Sequence, residues 1–120
     1  MAYIKINCDD SKPPCELVEI PCDISEWLKT VHRLIGAHTI DIIHTQIPNL
    51  VLVIDDCGKL RDNWSDRVNT IATKLYGYHI DPVVGDCILA RQYFDNIRDL
   101  LPSDIERIGS FFGPIKSNKT

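Results

Sequence analysis

Leu50-Val51-Leu52-Val53-Ile54 runs without a polar residue into Asp55-Asp56-Cys57-Gly58. Five consecutive aliphatic residues are too few for a typical helix. They match a strand buried on both faces, in the middle of a sheet. The acidic pair and Gly58 end it with turn chemistry, and residues 59–61 are expected to begin a returning strand. Ahead of it, residues 39–45 form a second strand, separated by the turn Gln46-Ile47-Pro48-Asn49.

Moving outward, residues 3–8 alternate apolar and polar, with Ile4 and Ile6 on one face, and residues 16–20 alternate again. With Asp9-Asp10-Ser11-Lys12-Pro13-Pro14 between them, they read as a hairpin with a long loop. Asp23 and Glu26 have the spacing of a capping box, with Ser25 as an alternative cap. Behind them Trp27, Leu28, Val31, Leu34 and Ile35 share one helical stripe that stops at Gly36. A second helix is expected from Ser65, with Val68, Ile71, Ala72 and Leu75 on its inner side and Gly77 at its end. Residues 83–90 read as another strand with a bulge at Gly85-Asp86. A short third helix is expected from Ser103, where Glu106 completes a second capping box. Helical stripes one side wide need a flat surface to pack on. The predicted fold is therefore α+β: a mixed, mainly antiparallel sheet of about five strands with two main helices and a short C-terminal helix. Residues 1–113 make one domain and residues 114–120 a polar tail.

The 120 residues are 44% hydrophobic and 25% charged, within the globular range. A net charge of -4 with dispersed Lys and Arg argues against general nucleic-acid binding, which needs clustered cations. It leaves room for a local anion pocket. The aliphatic run at 50–54 is far shorter than the roughly 20 residues of a membrane span. No signal-peptide core follows Met1, so the cytoplasm is the expected location. Cys8, Cys15, Cys22, Cys57 and Cys87 are odd in number and contain no Cys-x-x-Cys pair, which points to reduced, structural thiols.

Chemistry is hard to find. There is no Gly-x-Ser-x-Gly elbow, phosphate-binding glycine loop, dinucleotide fingerprint or EF-hand. His32, His38, His44 and His79 lack metal-site spacing; His38 and His44 would lie about 20 Å apart along a strand. The pairs Asp9-Asp10 and Asp55-Asp56 read as turn-capping residues. No catalytic residue, metal or cofactor is expected, and the chain is read as a non-enzyme. Two segments carry binding-type residues. Arg61-Asp62-Asn63-Trp64 precedes the second helix, and Arg91-Gln92-Tyr93-Phe94 ends the last long strand. Each also has a structural reading: Trp64 as a staple on its helix, the other segment as strand-end packing. A ligand site, if present, is placed where residues 61–64 meet the end of the strand 83–91. There Arg61, Asn63 and Trp64 would face Arg91 and Tyr93 around a helix N-terminus that favours an anion.

The order of motifs carries a resemblance. A helix ending Leu34-Ile35-Gly36 is followed by an aliphatic strand into Asp55-Asp56-Cys57-Gly58-Lys59-Leu60. Asn63, a helix ending Leu75-Tyr76-Gly77, and Asp81-Pro82-Val83-Val84-Gly85-Asp86 come next, and then Leu100-Leu101-Pro102-Ser103-Asp104-Ile105-Glu106. Over residues 1–113 this resembles domain-of-unknown-function family 3846, small proteins of phages, plasmids and mobile elements. Trp64 and a longer segment at 93–98 depart from the family pattern. The resemblance implies no catalytic residues. It implies an accessory protein acting in a host cytoplasm, with two expectations for function. One is a binding protein that inhibits a host protein, such as a component of antiviral defence. The other is a sponge for a small anionic signalling nucleotide. A homodimer, with Phe111-Phe112 at the contact, is the expected assembly.

Overall fold

The computed structural model describes residues 2–60, 62–78 and 81–117. Strands β1 (Ala2–Ile6) and β2 (Cys15–Glu19) form the predicted hairpin, with Ala2 opposite Glu19 and Ile6 opposite Cys15. The connecting loop is held by Asp9, whose Oδ1 accepts from the backbone N (2.9 Å) and hydroxyl (2.8 Å) of Ser11. Helix α1 (Ile24–Ile35) starts where Asp23 Oδ1 accepts from the amides of Ser25 and Glu26, and it ends on Gly36 at φ 68°. The Ser25 hydroxyl above all, which donates to the same oxygen at 2.8 Å, and then these amides hold the exposed Asp23 carboxyl below its ordinary pKa.

Strands β3 (Ile40–His44) and β4 (Leu50–Asp55) pair antiparallel, and β4 is the double-sided strand its composition demands. Leu50 and Leu52 point into one buried cluster; Val51 and Val53 point into the other. Strand β5 (Cys87–Tyr93) lies against β4 on one side. On its other side it pairs with β1 over its first half and with the short β6 (Asn96–Arg98) over its second. The sheet has seven strands in the order β3-β4-β5-β1-β2-β7, with β6 attached to β5. Among the described residues, only the pairing of β2 with β7 (Lys116–Ser117) is parallel.

The helices divide between the faces. Val31 and Ile35 of α1 pack over Tyr3, Val18, Ile20, Val51, Val53, Ile88 and Ala90. On the opposite face, helices α2 (Thr70–Tyr76) and α3 (Pro102–Phe112) bury Ala72, Leu75 and Ile108 over Ile4, Ile6, Leu50, Leu52, Cys87 and Leu89. Each such aliphatic side chain contributes about 1.5–3 kcal/mol by leaving water. No helix of the described residues is long and apolar enough to cross a membrane.

Several boundaries differ from the sequence expectation. Gly58–Leu60 forms a 3-10 turn, not a returning strand, and Arg61 lies outside the described residues. The second helix does not begin at Ser65. Trp64–Arg67 is a further 3-10 turn, and α2 starts only after Asn69, whose Oδ1 caps the amide of Ala72 at 3.1 Å. The cause is tertiary: the amide of Asn69 donates to Val83 O and the amide of Gly85 donates to Arg67 O, each at 2.7 Å. Those bonds, with a bridge between Val68 and Val84, divert residues 83–85 from the sheet, so β5 starts at Cys87. Gly85 makes the turn at φ 86°, where the Arg67 guanidinium lies 3.2 Å from the point a Cβ would occupy. The third helix is longer than α2 and starts at Pro102. Its first turn is held by Asp104 Oδ2, which accepts from Leu101 N at 2.9 Å, not by Ser103 and Glu106. The tail assigned to 114–120 is partly built in: Ile115 packs on the core, and β7 extends the sheet.

Candidate functional site

α1 is apolar over a longer stripe than the sheet covers. Its C-terminal half is buried, but Ile24 is 76% exposed and Leu28 39% exposed near its N-terminus. Across from them, Ile42 on β3 is also 39% exposed. Between α1, β3 and the β5–β6 hairpin lies a cleft of about 540 Å³, lined by Ile24, Trp27, Leu28, Ile40, Ile42 and Ile97. Cavities of this size hold ligands or several side chains.

The cleft's buried polar atoms are already satisfied. Trp27 Nε1 donates to Tyr3 Oη at 3.2 Å. Burial pushes the Tyr3 hydroxyl above its ordinary pKa; the Trp27 bond opposes this, while Asp99 and Cys22 add to it. Around the rim stand Asp95, Asp99 and Arg98. The Arg98 guanidinium lies over the Tyr93 ring, 5.8 Å from its centroid, and Tyr93 meets Phe94 edge to face at 4.7 Å. Phe94 is 80% exposed and sits at φ 55°, in the left-handed region. A bulky residue rarely adopts that region, since it costs roughly 1–2 kcal/mol.

The residues singled out from the sequence fall into separate places. Trp64 belongs to neither buried cluster and is partly exposed in its 3-10 turn, so it is not the core staple of α2. Asn63 is exposed, with no side-chain cap bond. Arg61 is outside the described residues. At the other end, Arg91 is committed to the fold. Its Nε and Nη2 donate to Asp104 Oδ2 and Oδ1 at 2.9 and 2.8 Å, tying β5 to α3. This bond above all, opposed by partial burial, holds the Asp104 carboxyl below its ordinary pKa. Tyr93 lies on the hairpin beside the cleft. The start of β5, which adjoins the turn carrying Trp64 through the Val68–Val84 bridge, is six residues from Tyr93, about 20 Å of strand. Within one chain, the length of β5 thus separates Tyr93 from the turn that carries Asn63 and Trp64. The amide of Ala72 is not open to an anion, because Asn69 caps it.

A second cleft of about 280 Å³ opens beside the C-terminal end of α2 and gathers Asp41, Asp55, Asp56, Lys59, Tyr76 and Asp81. Its polar groups bond mainly within the protein. Lys59 pairs with Asp81, and Asp55 Oδ1 accepts from Cys57 N at 2.9 Å. Among the described residues, no His, Cys, Asp or Glu group of three or more fits a metal ion; His79 is not among them. No disulfide links the cysteines. Cys15 and Cys87 both flank Ile6 from opposite strands, about 9.6 Å apart and beyond bridging distance.

Sequence reading missed the cleft. Ile24 directly after the helix cap, and Phe94 where a hairpin turn favours Gly, Asn or Asp, were the available signals. Comparison with protein-family models, curated proteins and solved structures finds no match.

Proposed function

We propose that this protein is a binding protein, not an enzyme, and that it docks a segment of a partner protein in the cleft between α1, β3 and the β5–β6 hairpin. The observation that carries this reading is the exposed apolar lining formed by Ile24, Leu28 and Ile42. Side chains of this kind are normally covered, and a contiguous exposed group with a polar rim is the usual form of a protein contact. The resemblance to family 3846 supports a host protein as the partner and inhibition of that protein as the outcome.

A nucleotide ligand is less well served. It needs free cationic donors and a flat stacking face. Arg91 is held by Asp104, Arg98 covers Tyr93, and carboxylates flank the cleft.

Selection from a random peptide display library against the full chain tests the proposal. Selected peptides should bind the wild type and lose at least about tenfold in affinity on Leu28→Asp, because a charge is then placed in the apolar wall. A thermal-shift screen with cyclic and ADP-ribose-type nucleotides runs in parallel. A nucleotide that raises Tm, with no peptide dependent on Leu28, would overturn the reading; a true ligand at 100 times its Kd stabilises by about 2.7 kcal/mol.

A further inference from the structure

We infer that the segment taken by this cleft is a helix with an apolar stripe and basic flanks, an inference that rests on the binding reading above. Three observations lead there. The walls formed by α1 and β3 are apolar, and the indole N–H of Trp27 is already used by Tyr3, so directional bonding is confined to the side of the cleft that carries Asp95, Asn96, Arg98 and Asp99. Complementarity then comes from side-chain packing, with anchors spaced i, i+3 or i+4, and i+7 along a helix.

The second observation concerns the mode of docking. β3 is an edge strand and borders the cleft, so addition of an extended peptide to the sheet is the obvious alternative. The amide at the middle of β3 is not open for it: Ile42 N donates to Asp41 Oδ1 at 2.9 Å. A carboxylate placed along an edge in this way blunts strand pairing. A helix needs no such donor, because its backbone bonds are made within itself.

The third is charge. Asp95 and Asp99 flank the cleft, and Asp23 caps the helix turn that holds Ile24. Among the described residues, the one cation of the lining, Arg98, is drawn onto Tyr93. Lys or Arg on the partner's flanks would meet the carboxylates, raising the association rate and fixing orientation. The same carboxylates repel anionic lipid headgroups and acidic peptides.

The test uses the full chain and synthetic probes of about 18 residues, long enough to hold a helix. One carries Leu on a helical stripe with Lys elsewhere; a second replaces each Lys by Glu; a third has the first one's composition in strict alternation. Vesicles of anionic lipid form the fourth arm. Calorimetry at low salt should show the Lys helix bound at least about tenfold more tightly than the Glu helix, the difference shrinking with added salt. Asp95→Asn with Asp99→Asn should remove most of that discrimination while the unfolding midpoint stays put. Leu28→Asn and Ile42→Thr should each weaken binding of the Lys helix.

Equal binding of Lys and Glu helices, or preference for the alternating probe or the vesicles, overturns this inference. If those preferred peptides still depend on Leu28 and Ile42, the binding reading stands and only the helix fails. If no peptide binds in a way that depends on these residues, both fall.

Discussion

Replacing Asn69 by Ala should cost about 3–5 kcal/mol of stability, and the structure says why. Asn69 is 1% exposed and joins three parts of the fold. Its Nδ2 donates to Ile6 O on β1 and to Gly85 O ahead of β5, each at 3.0 Å, and its Oδ1 caps α2 at Ala72 N, 3.1 Å. Loss of the cap costs about 1 kcal/mol. Leaving two buried carbonyls without their donor adds roughly 1–2 kcal/mol each. For a chain of 120 residues this corresponds to a fall in Tm of roughly 12–20 °C. Asn69→Asp makes the sharper comparison. It keeps an acceptor for Ala72 but sets a carboxylate against two carbonyls, so near neutral pH it should be at least as damaging as Ala. Acidification should then rescue the Asp variant in part, because the protonated carboxyl regains one donor, whereas the Ala variant gains nothing comparable. Urea unfolding at pH 7.5 and 5 measures both. An Ala variant within about 1 kcal/mol of wild type, or an Asp variant as stable as wild type at pH 7.5, would refute the account of Asn69 as a junction.

Further outcomes follow from other contacts. Asp104→Asn should destabilise by roughly 1–3 kcal/mol at neutral pH, since it weakens the bidentate bond of Arg91. The folded-state pKa of Asp104 is depressed, so its contribution is present above the unfolded carboxylate range near 4 and is lost as pH falls through the folded value. Urea midpoints of the two proteins should therefore converge on acidification. Thiol labelling at neutral pH, read by mass, should modify exposed Cys22 and Cys57 first. Cys15, pushed up to about 11 by burial, and the fully buried Cys87, also raised, should stay unmodified until the chain is unfolded. Phe94→Asn should leave stability within about 1 kcal/mol of wild type, as relief of the positive φ offsets loss of the edge-to-face contact with Tyr93; a larger loss in urea unfolding would show that the ring contact outweighs the backbone strain.

The parts of the fold visible in the sequence are those that local physics decides. The span from Asp23 to Gly36 carries its own cap, stripe and stop, and α1 keeps those bounds. Residues 50–54 can be a strand only if both faces are covered, and both are. The end of α2 at Gly77 carries its own stop, but the starts of α2 and β5 were misplaced because the hydrogen bonds of residues 67–69 and 83–85 run between loops distant in sequence. Asn69 is a residue type suited to cap a helix, but its partners at Ile6 and Gly85 appear only on folding. Arg91 looked like an anion ligand because its counter-charge lies 13 residues away on another element. The cleft was hidden for a related reason. Ile24 and Leu28 obey the same periodicity as Val31 and Ile35, and only the reach of the sheet beneath them separates exposed from buried.

The pairing of β1 with β5 has a kinetic consequence. Ile4 lies opposite Leu89, a separation of 85 residues, and Cys8 N is bonded to Asp86 across 78. The first hairpin therefore leaves a ribosome long before the strand that covers it has been made. At usual elongation rates of roughly 5–20 residues per second, that interval is about 4–17 s. Throughout it, Ile4 and Ile6 have no β5 to lie against and are open to chaperones or to neighbouring nascent chains. Closing so large a loop also sets a high entropic barrier for refolding from denaturant, placing this chain among the slower folders for its size.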